Sequence, residues 1–453
     1  MVSLSYNKNK VFYSTLFGLA VPIVLQQMIS SSLNLVDNVM IGQLGSTNIA
    51  SVGLANQVFF LMSLILFGTY SGVSIYIAQY WGNKEPEKIK NVMVIGLTFG
   101  VFVSSIFFIA SFFAPSAIIN IFSDDPEVIL LGAKYLKIVS VSYVLTSMSF
   151  AYGFSSRSVG KAKVPMYASA ISLLLNTFLN YILIFGNMGF KAYGIEGAAI
   201  ATLISRVLEL GIILWVTYKD SPELAVRPKD FLAVEFIYVK QVFKTAFPVI
   251  VNETFWALGM TTYAYVYAHI GTDAMASVQI SNIINNLFMV FSFGLGNASS
   301  VMLGNLLGAD RIEDAIDYNS RFLVLSLSLG AIIGLSIALL APFMIDTFFN
   351  LSPEVARITI TTMRVMAVFM PFKFYSTIVI IGTFRSGGDT IFSMLLEMGC
   401  VWLIGVPLAF FGGFWLNLPI YLVVALVSLE EVAKFILGTP RVLSKKWAKR
   451  LVI

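Results

Sequence analysis

Apolar residues fill twelve long runs separated by short polar stretches, at about 12–42, 49–80, 92–119, 128–156, 165–187, 194–217, 241–270, 275–307, 319–349, 358–384, 390–412 and 417–438. As α-helices rising 1.5 Å per residue, runs of this length cross a hydrocarbon layer about 30 Å thick. The pattern therefore predicts twelve membrane helices. At about 25 to 35 residues for each span with its loop, they use up the chain and leave no room for a large soluble domain. Lys8 and Lys10 precede the first run as in a signal peptide, but that run continues past Pro22 to Gly42 without a small-residue cleavage site. It is expected to remain as the first helix.

The longest polar stretch, from Lys219 to Asp230 with Pro222 and Pro228, lies between the sixth and seventh runs. It predicts a first lobe at 1–218, a cytoplasmic linker at 219–240, a second lobe at 241–438 and a basic tail at 439–453. Sliding the sequence on itself until Phe17 falls on Phe243 supports two repeats. Phe17 to Gly82 then matches Phe243 to Gly308 without a gap, pairing Pro22 with Pro248, Gly45 with Gly271, Ala50-Ser51-Val52 with Ala276-Ser277-Val278, and Gly82 with Gly308. A slightly larger shift pairs Arg157-Ser158 with Arg385-Ser386. The expected fold is an all-α polytopic membrane protein with twelve helices in two pseudo-symmetric six-helix lobes. Parallel repeats of this kind are typical of secondary transporters.

Composition agrees with the runs: 58% of residues are hydrophobic and 12% charged, against roughly 25% charged in an ordinary soluble domain. Single Cys400 and His269 exclude an internal disulfide and the usual Cys/His zinc sites. The net charge of +5 does not point to nucleic acid, because Lys and Arg sit in short clusters between runs. They concentrate in the tails and in the even-numbered gaps, as at Lys84, Lys88 and Lys90, Arg157, Lys161 and Lys163, and Arg441, Lys445 and Lys446. Both termini are then expected in the cytoplasm. The tail around Trp447 is expected against anionic lipid, with that ring at the interface. Neither Gly160-Lys161 nor Arg385-Ser386-Gly387-Gly388 forms a phosphate-binding loop, so both read as cytoplasmic turns and ATP is not the energy source. No cofactor and no enzymatic activity are expected.

Ionisable side chains inside a bilayer are costly and point to function. Those singled out are Asp37, Arg206, Glu209, Glu253, Lys373 and Glu397. Counting along the helices puts Asp37, in the first run, at the depth of Asn180 in the fifth and Thr202 in the sixth, with Asn176 one turn from Asn180. One carboxylate, two carboxamides and a hydroxyl make a hard-oxygen set for Na⁺, and the carboxylate alone can carry a proton; interhelical hydrogen bonding is the plainer alternative. Glu253 and Lys373 fall at similar depth and are expected to pair. Asn252, Gln279, Asn282 and Asn286 add a polar stripe, and Trp256 or Tyr263 offer ring faces to a cationic substrate. Arg206 and Glu209 are expected to neutralise each other, and Glu397 has no evident partner.

Pro22, then Asp37-Asn38-Val39-Met40-Ile41-Gly42 and Leu44-Gly45, closely resemble the start of multidrug and toxic compound extrusion (MATE) transporters. The glycine repeated at Gly82 and Gly308, the paired Arg-Ser loops and Asn176 with Asn180 are similar to that family too, over essentially the whole chain. The resemblance implies a V-shaped pair of lobes that exports organic cations and other amphipathic compounds in exchange for Na⁺ or H⁺. It implies a cation site at Asp37, Asn176, Asn180 and Thr202, and matches Glu253 to the family's acid in the seventh helix. Other members carry an acid in the tenth helix, whereas this helix has Lys373 and no acid from Met366 to Phe384. The setting implied is the cell's plasma (inner) membrane, with a small-molecule substrate, a lipid bilayer and a monomer. A lipid-linked oligosaccharide flippase is the nearest alternative; a membrane-embedded enzyme or receptor would need a clustered nucleophile, metal site or output domain.

Overall fold

The structure is a computed structural model describing residues 2–452, with side chains from Lys8 onward. Its helices follow the apolar runs in order: α1 (Val2–Gly42), α2 (Ser46–Gly82), α3 (Pro86–Phe113), α4 (Pro126–Val139 bent by 49° into Ser142–Ser158), α5 (Lys163–Phe185), α6 (Ile195–Asp220), α7 (Phe236–Ile270), α8 (Thr272–Gly308), α9 (Ile312–Phe348), α10 (Pro353–Phe384), α11 (Thr390–Trp415) and α12 (Ile420–Leu443). Proline begins several of them, where its missing N–H is not needed. Asp125 caps α4 by accepting from Glu127 N at 2.9 Å, and Ser352 caps α10 by accepting from Val355 N at 3.4 Å. The turns repeat as the sequence does. Gly45 and its repeat counterpart Gly271 hold φ of +108° and +148°, and Lys84 and Asp310, paired by the same shift, hold +61° and +60°.

Among the described residues, nine helices are long and apolar enough to cross a membrane, and the bent α4 makes ten. The two that fall short are instructive. α7 carries Asn252 and Glu253 in its middle, and α12 carries Glu430, Glu431 and Lys434. Their polarity is concentrated where a lipid-facing helix cannot keep it.

The chain forms two compact units, Val21–Ile250 and Met1–Ala20 with Val251–Ile453. The boundaries fall beside the repeated Pro22 and Pro248, so α1 and α7 each contribute one half to either unit. Within Val21–Ile250, α2 packs tightly on the first half of α7. A Cβ on Gly68 would stand 2.7 Å from the Ile250 Cα, and one on Gly72 2.5 Å from the Ala246 Cα. Further along, the Tyr76 hydroxyl donates to Gln241 O at 2.9 Å. Because backbone cannot yield as a flexible side chain can, Gly72→Ala should destabilise the protein by about 1–3 kcal/mol. Its melting temperature in detergent should fall, and an unchanged value would show that the helices separate freely there.

In the other unit, Phe12 of α1 packs edge-on against Tyr318 and Phe322 of α9, at 4.8 and 5.1 Å between centroids. Lys8 bonds Asp314 at 3.0 Å. The tail corrects one expectation. Trp447 is 1% exposed, its indole donating to Val442 O at 3.3 Å, and does not sit at a lipid interface. Gly387 makes this possible, since a side chain there would strike Trp447 O.

Candidate functional site

In the Val21–Ile250 unit, α1, α5 and α6 bring Asp37, Asn176, Asn180 and Thr202 into one hydrogen-bonded group. Asn180 Nδ2 donates to Asp37 Oδ1 at 2.5 Å and to Asn176 Oδ1 at 3.1 Å, and Asn176 Nδ2 donates to Thr202 Oγ1 at 3.5 Å. The two asparagines are buried, and Asn180 Oδ1 has no hydrogen-bond partner among the described residues. An orphaned carboxamide oxygen next to a carboxylate is a costly arrangement without a ligand, since a buried acceptor forfeits its hydration.

Toward the other end of the same helices runs a second polar chain. Arg206, one turn beyond Thr202 on α6, donates to Glu209 at 2.7 Å as the sequence suggested. Ser169 donates to the other Glu209 oxygen at 2.7 Å, Gln26 Nε2 to Ser169 at 3.2 Å, and Arg157 to Gln26 Oε1 at 2.6 Å.

The other unit repeats part of this plan with different charges. Asn252, the repeat counterpart of Gln26, donates to Glu397 at 2.5 Å, and Glu397 falls on Ser169 under the shift that pairs Arg157 with Arg385. Glu397 therefore does have a partner. Glu253 pairs with Arg385 at 2.7 Å and not with the expected Lys373; the guanidinium is 2% exposed. The expected pairing treated Arg385 as a loop residue, but α10 continues through a π-helical stretch, Ile378–Phe384, and Arg385 lies buried at its end. Arg385-Ser386 is thus a buried anchor as well as a turn.

Lys373 instead belongs to a cavity of about 210 Å³ that Trp256, Tyr263, Gln279 and Asn282 also line. Of the remaining residues expected with them, Asn252 and Glu253 are engaged with Glu397 and Arg385, and Asn286 is exposed while its neighbour Asn285 lines the cavity. The cavity also holds Glu430 and Glu431, both bonded by Lys434 at 3.2 Å, and the Tyr263 hydroxyl bonds Glu430 at 2.5 Å. Tyr263 is the repeat counterpart of Asp37. It approaches Glu430 over Gly405, where any side chain would collide with both groups.

With this geometry in place, the MatE family model matches residues 22–182 and 248–411, one stretch for each repeat, beginning at Pro22 and Pro248. The chain belongs to the MatE family. Similar curated relatives include a probable multidrug resistance protein NorM of Thermotoga maritima, 24% identical over 97% of this chain and 94% of that protein. An uncharacterized transporter, YisQ, of Bacillus subtilis is 21% identical over 96% and 95%. Among solved structures, an outward-facing multidrug resistance MATE family transporter of the MOP superfamily aligns with a TM-score of 0.85 at 20% identity, covering 95% of this chain and 96% of that one. A MOP superfamily transporter from Pyrococcus furiosus aligns equally well, with a TM-score of 0.85 at 21% identity over the same shares.

For this MatE chain, sequence reasoning missed Glu430, Glu431 and Lys434, which lie inside the last apolar run. Their spacing was the available signal: acids three and four residues before a lysine face one side of a helix and neutralise it there.

Proposed function

We propose that this MatE protein is a secondary efflux transporter, driving amphipathic organic compounds out of the cell by the inward movement of Na⁺ or H⁺. The observation that carries this reading is the Asp37 group with its unpaired Asn180 oxygen. Its donors fit Na⁺: Asp37 supplies charge, Asn176 and Thr202 supply uncharged oxygens, and turning the Asn180 amide presents Oδ1 in place of its N–H. A proton satisfies the same carboxylate without the other oxygens. Either ion neutralises Asp37, removing the charge that the Asn180 hydrogen bond now stabilises, and so changes which packing of α1, α5 and α6 is favoured. Release of the ion toward the cytoplasm resets the carboxylate for the next exchange.

The membrane is the cytoplasmic one, and both termini face the cytoplasm, as the Lys and Arg distribution supports. The flippase alternative needs several unpaired cations to hold phosphate. Arg206, Arg385 and Lys434 are instead ion-paired with Glu209, Glu253 and the Glu430–Glu431 pair, and Arg157 is held by Gln26, which leaves Lys373 as the one cation on the cavity wall without an ion pair among the described residues. The test is purified protein in liposomes loaded in turn with a cationic dye, ethidium, and with a zwitterionic amphipathic dye, with Na⁺ and pH gradients imposed separately. One of the two should accelerate dye movement severalfold; if neither does, the protein is not a cation-coupled exporter of this class.

A further inference from the structure

The cavity in the Met1–Ala20 and Val251–Ile453 unit carries charge of both signs on its wall. Lys373 of α10 and Glu430 and Glu431 of α12 line it, together with the rings of Trp256, Tyr263 and Phe369. The two carboxylates share one counter-ion, Lys434, at 3.2 Å from each, so that triad keeps one negative charge in excess. Glu430 has a further hydrogen bond from Tyr263, whereas Glu431 Oε2 has none among the described residues. Lys373 takes part in no ion pair among the described residues; Glu431, Lys434 and Glu430 act on it only at longer range.

Opposite charges that line one cavity but do not close on each other are complementary to a ligand whose own charges are separated. A purely cationic ligand would add to the uncompensated ammonium of Lys373, and a purely anionic one to the excess charge of the triad, each at a cost in a low-dielectric site. We infer that this cavity takes an aromatic zwitterion of about amino-acid size, with its anionic group on Lys373, its cationic group toward Glu431 and its ring among Trp256, Tyr263 and Phe369. Gln279 and Asn282 add hydrogen bonds, and Lys373 becomes the residue that sets specificity. This deepens the efflux reading and rests on it for the meaning of the cavity as a substrate site.

The test measures binding without transport, by calorimetry on the full chain in lipid nanodiscs, with L-tryptophan, its methyl ester and its N-acetyl derivative as probes. The zwitterion should bind at least about 10-fold more tightly than either singly charged form, a ratio that is independent of the fraction of active protein. Lys373→Met should remove the advantage over the ester, Lys373→Arg should retain it, and Glu431→Gln should remove the advantage over the N-acetyl compound. Should Lys373→Met fail to fold, Lys373→Gln reads the same ratio. Equal or tighter binding of the ester to the native protein overturns the inference, as does an unchanged ratio in the lysine variants or no binding of the zwitterion at millimolar concentration. Any of those results leaves gradient-driven efflux standing. Loss of gradient-driven efflux with the zwitterion preference intact overturns the transport reading alone.

Discussion

Asp37→Asn should abolish the acceleration of export by an imposed ion gradient while leaving the protein folded. The substitution keeps the shape of the side chain and an acceptor for Asn180 Nδ2, which donates to Asp37 Oδ1 at 2.5 Å. What it removes is the only carboxylate of the group formed with Asn176, Asn180 and Thr202. A cation held by neutral oxygens alone loses its Coulomb attraction in a medium where that attraction is strong. Affinity should fall at least about 10-fold, equivalent to about 1.4 kcal/mol, and dye efflux from liposomes should proceed at the same rate with and without the gradient. Native acceleration in Asp37→Asn would remove Asp37 from the coupling step. Asn180→Leu separates the two candidate ions, because a proton needs only the carboxylate whereas Na⁺ also needs the amide oxygen. Weaker Na⁺ dependence in that variant supports Na⁺ at this group; unchanged Na⁺ affinity confines the asparagines to packing.

The Asp37 group was legible in the sequence because its geometry is one-dimensional. Depth along a straight helix follows from residue count, and the first, fifth and sixth runs have clear ends, so three side chains at one depth can be placed together before any contact is known. The same arithmetic misplaced the partner of Glu253. It found Lys373 at a similar calculated depth, but depth says nothing of the direction a side chain takes around its helix, and it passed over Arg385, the residue that pairs with Glu253, as part of a loop. The missed acids of α12 have a different cause. Averaged over a run, Glu430 and Glu431 are outweighed by the valines and leucines around them, and Lys434 cancels much of their charge. A search for charged residues one by one, in place of a search for apolar runs, finds them at once. The assignment of half of α1 and half of α7 to either unit was illegible for a further reason: it depends on contacts such as Phe12 with Phe322, far apart along the chain, and no local pattern encodes them.

The Glu253–Arg385 pair leads to the largest expected change in stability. Arg385 is 2% and Glu253 13% exposed, and their charged atoms are 2.7 Å apart. Removing one partner of a buried ion pair typically costs about 3–5 kcal/mol, because the other charge is left without compensation, whereas replacing both by neutral groups is often close to harmless. Arg385→Met and Glu253→Gln should therefore each lower the apparent melting temperature of the purified protein strongly at a fixed heating rate. The double variant should recover much of the loss, a coupling of about 0.5–3 kcal/mol. Lys373 supplies the control. Since it lines the cavity and Glu253 is paired with Arg385, Lys373→Met combined with Glu253→Gln should be closer to additive. If that combination shows the recovery and the Arg385 combination does not, Lys373 is the true partner of Glu253. Export should separate the roles further: a double variant, Arg385→Met with Glu253→Gln, that folds and still moves cationic dye at the native rate identifies the pair as packing, and one that folds without moving dye gives Glu253 a part in the transport cycle.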